Sequence, residues 1–229
     1  MNDLKQAFSE ALRLIFSANS DFTTTVAASL RFSISSTLLA SALGIPLGIA
    51  LANAHFRFKR LVEDVLNSLL AVPTVVVGLF VYTLIFSQGP LGRFRLLFSP
   101  TAIVLGQTLL IFPLIASLAC SAVSGVDPIV RQTALTLGAA RLRTAWTVAS
   151  EAKAALLVVC LTAFGRVIGE IGISLLLGGN ILGYTRTITT AISLQTSRGE
   201  FALGLALGMV LLCVAFGINM AMRLLRTKP

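Results

Sequence analysis

The sequence predicts an all-α integral membrane protein with five spans and a short amphipathic helix ahead of them. Three observations carry this. Apolar residues make up 56% and charged residues 12% of 229, against about 45–50% and about 25% in soluble domains. Mean hydropathy is +0.91. The apolar runs are long and continuous, whereas a membrane barrel alternates apolar and polar residues. In lipid every backbone polar group must be satisfied internally, which leaves helices. The same composition excludes a disordered chain.

The elements follow in chain order. Leu4, Phe8, Leu12 and Ile15 share one helical face, with Lys5, Glu10 and Arg13 between them. That pattern predicts an interfacial helix rather than a cleaved leader. Charge-free runs then mark spans at 32–54, 65–92, 96–126 and 201–222. A less clean one at 154–178 carries Arg166 and Glu170. Each holds enough apolar residues to cross a bilayer core of about 30 Å. Pro73 and Pro113 should kink or open the second and third spans. Gly44/Gly48, Gly165/Gly169 and Gly204/Gly208 have the G-x-x-x-G spacing that lets helices approach closely. Arg31 reaches the outer interface, or alternatively lines an outer vestibule. No repeat or linker divides residues 1–229, so one transmembrane domain is expected.

Lysine and arginine number 18 against 9 acids, a net charge of +9. In a membrane chain this predicts basic flanks at cytoplasmic span ends rather than nucleic-acid binding. The 1–2 loop, the 3–4 loop and the C-terminus hold nine of these cations and the opposite side six. The bias places the N-terminus outside and the C-terminus in the cytoplasm. Cys120, Cys160 and Cys213 are scattered through apolar runs and His55 is the one histidine. They read as small buried hydrophobes and a loop residue, so neither a metal site nor a catalytic triad is expected. No glycine precedes a lysine, so a P-loop cannot occur. If ATP drives this protein, another subunit binds it.

Three segments carry candidate chemistry. Asp127 and Pro128 suit the start of a short helix and Gly138 its end. The plain reading of 127–138 is a solvated helix joining two spans. Arg166 and Glu170 stand at i and i+4 and can pair on one helix face. Ionisable residues inside a span face the bundle interior or a wet path. A structural pin and a pore element are both open readings. After Gly178 and Gly179, a threonine-rich stretch with Arg186 can form a short helix that suits an acidic partner or an oxyanion. A polar cap on the bundle is the alternative.

These segments resemble a known family. Gln132-Thr133-Ala134 with Gly138 resembles the E-A-A-x-x-x-G motif of ATP-binding cassette (ABC) importer permeases, with Gln132 for Glu and Thr133 for the first Ala. The family's later I-x-L-P falls on Val148-Ala149-Ser150-Glu151 and is largely absent. Phe164-Gly165-Arg166, followed by Gly169-Glu170-Ile171-Gly172, looks like the F-x-R-x-x-G-E-x-G segment of molybdate, tungstate and sulfate permeases. Gly178-Gly179-Asn180-Ile181 and the later Thr185-Arg186-x-x-Thr189-Thr190-Ala191-Ile192 resemble the 4–5 loop of tungstate permeases.

The resemblance covers about residues 22–226. It implies the permease of an oxyanion importer, most similar to tungstate permeases, that hydrolyses nothing itself. The implied partners are a second copy, two cytoplasmic ATPase subunits holding ATP and Mg²⁺, an external oxyanion-binding protein, and lipid. Arg131, Gln132, Thr133, Ala134, Leu137, Gly138 and Arg141 would form the ATPase-coupling surface. Arg166 and Glu170 would line or brace the pore. Gly179, Asn180, Thr185, Arg186, Thr189 and Thr190 would face the binding protein. Molybdate or sulfate is the alternative cargo, and an ATP-independent anion channel or carrier the alternative machine.

Overall fold

The computed structural model describes Arg13, residues 20–54 and residues 57–226. The amphipathic segment expected around Leu4–Ile15 therefore lies outside the described residues, apart from Arg13. Ten α-helices and one 3-10 turn make up the described chain, and no strand occurs in it. They are α1 Ser20–Asn53, α2 Lys59–Leu69, α3 Thr74–Ile85, α4 Pro100–Ser124, α5 Pro128–Thr136, α6 Arg141–Glu151, α7 Lys153–Ile168, α8 Gly172–Gly178, α9 Ile188–Arg198 and α10 Phe201–Arg226.

Three helices, α1, α4 and α10, are each long and apolar enough to cross a membrane. Two further pairs pass together but are broken: α2 and α3 meet at 97°, α6 and α7 at 68°. By length and composition the described residues thus hold three to five candidate membrane spans. The helix that holds the first charge-free run extends back to Ser20, because a single exposed arginine, Arg31, does not end a helix. The expected kink at Pro73 is a full break, with Pro73 extended just before Thr74. Helix α4, by contrast, runs through Pro113.

The core is organised around α1 and α4, which form the largest helix–helix interface. Buried Ser29, Ser33, Ser36, Ala40, Gly44 and Gly48 give α1 a face of small residues. A Cβ on Gly48 would sit 2.6 Å from Ala119 Cβ and 2.7 Å from the Ala116 carbonyl oxygen, so only glycine permits this approach. Among the described residues the other two G-x-x-x-G pairs do not act this way. Gly169 and Gly208 have nothing within 4 Å of a built Cβ, and Gly165 and Gly204 meet only ordinary contacts.

Ser36 Oγ donates to Gln107 Oε1 at 3.0 Å, a buried bridge between α1 and α4. Ala40, Ile111, Ile115, Val159, Ala163 and Val167 pack α7 onto the same pair. Ile173 and Leu177 of α8 pack with Val81 and Ile85 of α3. Cys120 is buried, Cys160 half-buried and Cys213 exposed, so the expectation that all three are buried fails at Cys213, on an apolar outer face of α10.

Candidate functional site

Two opposite ends of the bundle hold the candidate residues. Helix α5 follows the C-terminal end of α4. The α8–α9 loop lies at the N-terminal end of α4, where the Phe98 amide donates to the Leu177 carbonyl at 2.8 Å.

Helix α5 is built as its sequence predicts. Asp127 Oδ1 accepts from the Ile129 amide at 2.9 Å, and Pro128 occupies the first turn. At the other end Gly138 adopts φ +78°. The Ala139 amide donates to Ala134 and the Gly138 amide to Leu135, each at 3.0 Å. This pairing satisfies the last carbonyls and needs a left-handed residue, which glycine supplies without strain. Only Ala134 of the motif is buried. Gln132, Thr133, Gly138 and Arg141 are exposed, Arg131 is half-buried, and Leu137 is 82% exposed. A groove of about 620 Å³ between α5 and α6 is lined by Leu137, Gly138, Arg143 and Thr147 among others. Beside it, Arg131, Arg141, Asn53 and Thr144 line a cavity of about 740 Å³. This end therefore offers an apolar ridge flanked by cations, a surface suited to another protein.

Arg166 and Glu170 are separated by a helix break. Helix α7 ends at Ile168, with Gly169 as its cap, so Glu170 leaves the helix. The i,i+4 geometry expected of them is therefore absent. Among the described residues the ion pair within 4 Å is Lys59–Glu63, not this one. Glu170 is buried, and its Oε1 accepts from the Ile173 amide at 3.3 Å, at the start of α8. Its backbone carbonyl accepts from Thr189 Oγ1 at 2.8 Å. Arg166 is exposed. The acid thus braces a broken helix while the cation lies on the exposed surface of the single chain.

The α8–α9 loop differs most from expectation. Thr185, Thr189 and Thr190 are buried rather than presented to a partner. Thr185 Oγ1 accepts from the Ile181 amide at 3.0 Å and donates to the Gly178 carbonyl. Thr187 and Thr190 cap α9 reciprocally, the Thr187 amide donating to Thr190 Oγ1 at 3.0 Å. Hydroxyls expected to face a partner are satisfied inside, where an unpaired one would destabilise the fold. Gly179 and Asn180 both have positive φ, 69° and 53°. Arg186 is half-buried and holds Asn180: Nε donates to Asn180 Oδ1 at 3.1 Å and Nη2 to the Asn180 carbonyl at 3.3 Å. The exposed residues of this loop are Gly179, as expected, and Ile181, Leu182, Gly183 and Tyr184.

Two residues escaped the sequence reading. Ser29 Oγ accepts from the Ile188 amide at 2.6 Å, joining α1 to the start of α9. Thr187, three residues before Thr190, carries a capping-box spacing that the sequence does display. Ser29 had no such signal, since only the fold brings α1 to α9.

Comparison with known proteins adds the following. Residues 44–228 match the family model described as binding-protein-dependent transport system inner membrane component. The chain is 39% identical over 219 residues to the tungstate uptake system permease protein TupB of Peptoclostridium acidaminophilum, covering 96% of each. It is 38% identical to the protein of that name from Campylobacter jejuni, over 93% of this chain and 89% of that one. It is 34% identical to the molybdenum transport system permease protein ModB of Escherichia coli K12, over 71% of this chain and 77% of that one.

Proposed function

Because the chain belongs to the family of binding-protein-dependent transport system inner membrane components, we propose that it is the permease of an ATP-driven ABC importer carrying an oxyanion, tungstate in particular, across the cytoplasmic membrane. Near-full-length similarity to two tungstate uptake permeases carries this reading. The 34% identity to a molybdenum permease supports molybdate as the second cargo. The whole chain acts as one permease domain of five spans: α1, the broken pair α2–α3, α4, the segment 154–178 that holds α7 and α8, and α10. It works as a homodimer with the path between the two copies, its N-terminus outside and its C-terminus in the cytoplasm.

Helix α5 docks on a cytoplasmic ATPase through Gln132, Thr133, Leu137 and Gly138, with Arg131 and Arg141 flanking and Ala134 seating the helix on the bundle. ATP and Mg²⁺ belong to that partner. The outer loop meets the oxyanion-binding protein through Ile181–Tyr184, held in shape by Gly179, Asn180, Arg186 and the buried threonines. Arg166 faces the path, and Glu170 keeps the break beside it rigid. Closure of the ATPases displaces α5, and the α6–α7 bend transmits that displacement to the span.

The test is reconstitution with ATPase and binding protein, followed by ATP hydrolysis against tungstate, molybdate and sulfate. Stimulation at the lowest concentration by tungstate is the expected result. Stimulation first by another oxyanion changes the cargo, and no response to any oxyanion removes the reading.

A further inference from the structure

Helix α6 has a face that the transport reading leaves unused. Thr144, Val148 and Ala149 turn inward. Leu142 and Trp146, one turn apart, are 85% and 72% exposed. Trp146 is the one tryptophan of the chain. With Ile49 of α1, Arg143 and two alanines they line an otherwise apolar groove of about 550 Å³. Exposed Lys153 follows at the head of α7, and α6 lies at 68° to α7.

These facts belong together. A helix inclined so steeply to a span runs nearer the membrane plane than its normal. An amphipathic helix with tryptophan and leucine on one face and flanking cations is the form that lies in a bilayer interface. Tryptophan favours that depth because one end of its ring system is apolar and the other polar. A groove apolar along its walls and cationic at its rim matches a lipid, which presents a chain and a phosphate together.

We propose that α6 lies in the membrane interface and seats one acidic phospholipid, its acyl chain against Ile49, Leu142 and Trp146 and its headgroup phosphate on Arg143 and Lys153. The lipid fills the groove behind α5 and holds the α6–α7 bend at a fixed depth.

Because Trp146 is the sole tryptophan, its fluorescence reports this groove alone. The full-length chain is placed in nanodiscs of phosphatidylcholine and phosphatidylglycerol, with brominated acyl chains on one lipid or the other. Acrylamide serves as the aqueous quencher. The expected result is strong quenching by brominated chains and little by acrylamide. At low ionic strength brominated phosphatidylglycerol should be preferred by about fivefold for each basic contact. The double variant Arg143→Gln/Lys153→Gln should keep the quenching by brominated chains and lose that preference. Quenching by acrylamide alone, or shielding from both quenchers by a protein surface, overturns the proposal. So does equal quenching by the two lipids, or a preference that survives the double variant. None of these measurements needs an ATPase or an oxyanion, so this proposal can fail while the transport reading stands.

Discussion

Ser29 Oγ accepts the backbone amide of Ile188 at 2.6 Å, joining residues 159 positions apart. The contact is buried, so neither group has water as a substitute. Ser29→Ala leaves the amide unpaired, at a cost of about 1–3 kcal/mol. The purified variant should lose thermal stability in detergent, and proteolysis should open the α8–α9 loop first. An unchanged melting midpoint would remove this contact from the account.

Close approach of α1 and α4 rests on Gly48. Gly48→Leu drives its side chain into Ala119 and the Ala116 carbonyl, where overpacking costs about 1–3 kcal/mol. Low yield of folded protein is expected. Gly208→Ala, with nothing within 4 Å of its Cβ, should express and melt like the parent. The contrast separates a glycine needed by this fold from one that merely has the same spacing.

At Gly138 the constraint is conformational, since φ is +78° and the space around it is open. Gly138→Ala should cost about 1–2 kcal/mol through left-handed strain. Gly138→Trp adds bulk exactly where α5 is exposed. That variant should reach the membrane yet co-purify poorly with the ATPase. Normal co-purification would count against α5 as the docking element.

Arg166 and Glu170 should behave as independent residues. Arg166→Gln, at an exposed position, should leave stability within about 0.5 kcal/mol while lowering oxyanion flux. Glu170→Ala removes the acceptor of the Ile173 amide and should destabilise, whereas Glu170→Gln retains an acceptor oxygen and should do so less. The exchanged pair Arg166→Glu/Glu170→Arg should not restore function. Rescue by the exchange would mean that the two side chains meet during transport.

Much of the architecture was legible in the sequence. Continuous apolar runs marked α4 and α10, and Asp127, Pro128 and Gly138 bounded α5 to within a residue or two. The breaks were not legible as such. Hydropathy records how apolar a segment is and not its direction, so 65–92 and 154–178 each read as one span. Pro73 signalled the first break, but not its 97°. The i,i+4 spacing of Arg166 and Glu170 assumed a helix that Gly169 ends. The threonines of the α8–α9 loop read as surface because burial of a hydroxyl depends on partners, such as Glu170 and Gly178, that only the fold brings near.

Uptake of tungsten into sealed proteoliposomes holding the permease, its ATPase and its binding protein tests the central claim most directly. With ATP on the ATPase side, tungstate should accumulate inside against its gradient. Without hydrolysable ATP there should be no net flux. Flux that merely equilibrates tungstate and proceeds equally without ATP would contradict the importer and identify a channel or carrier instead.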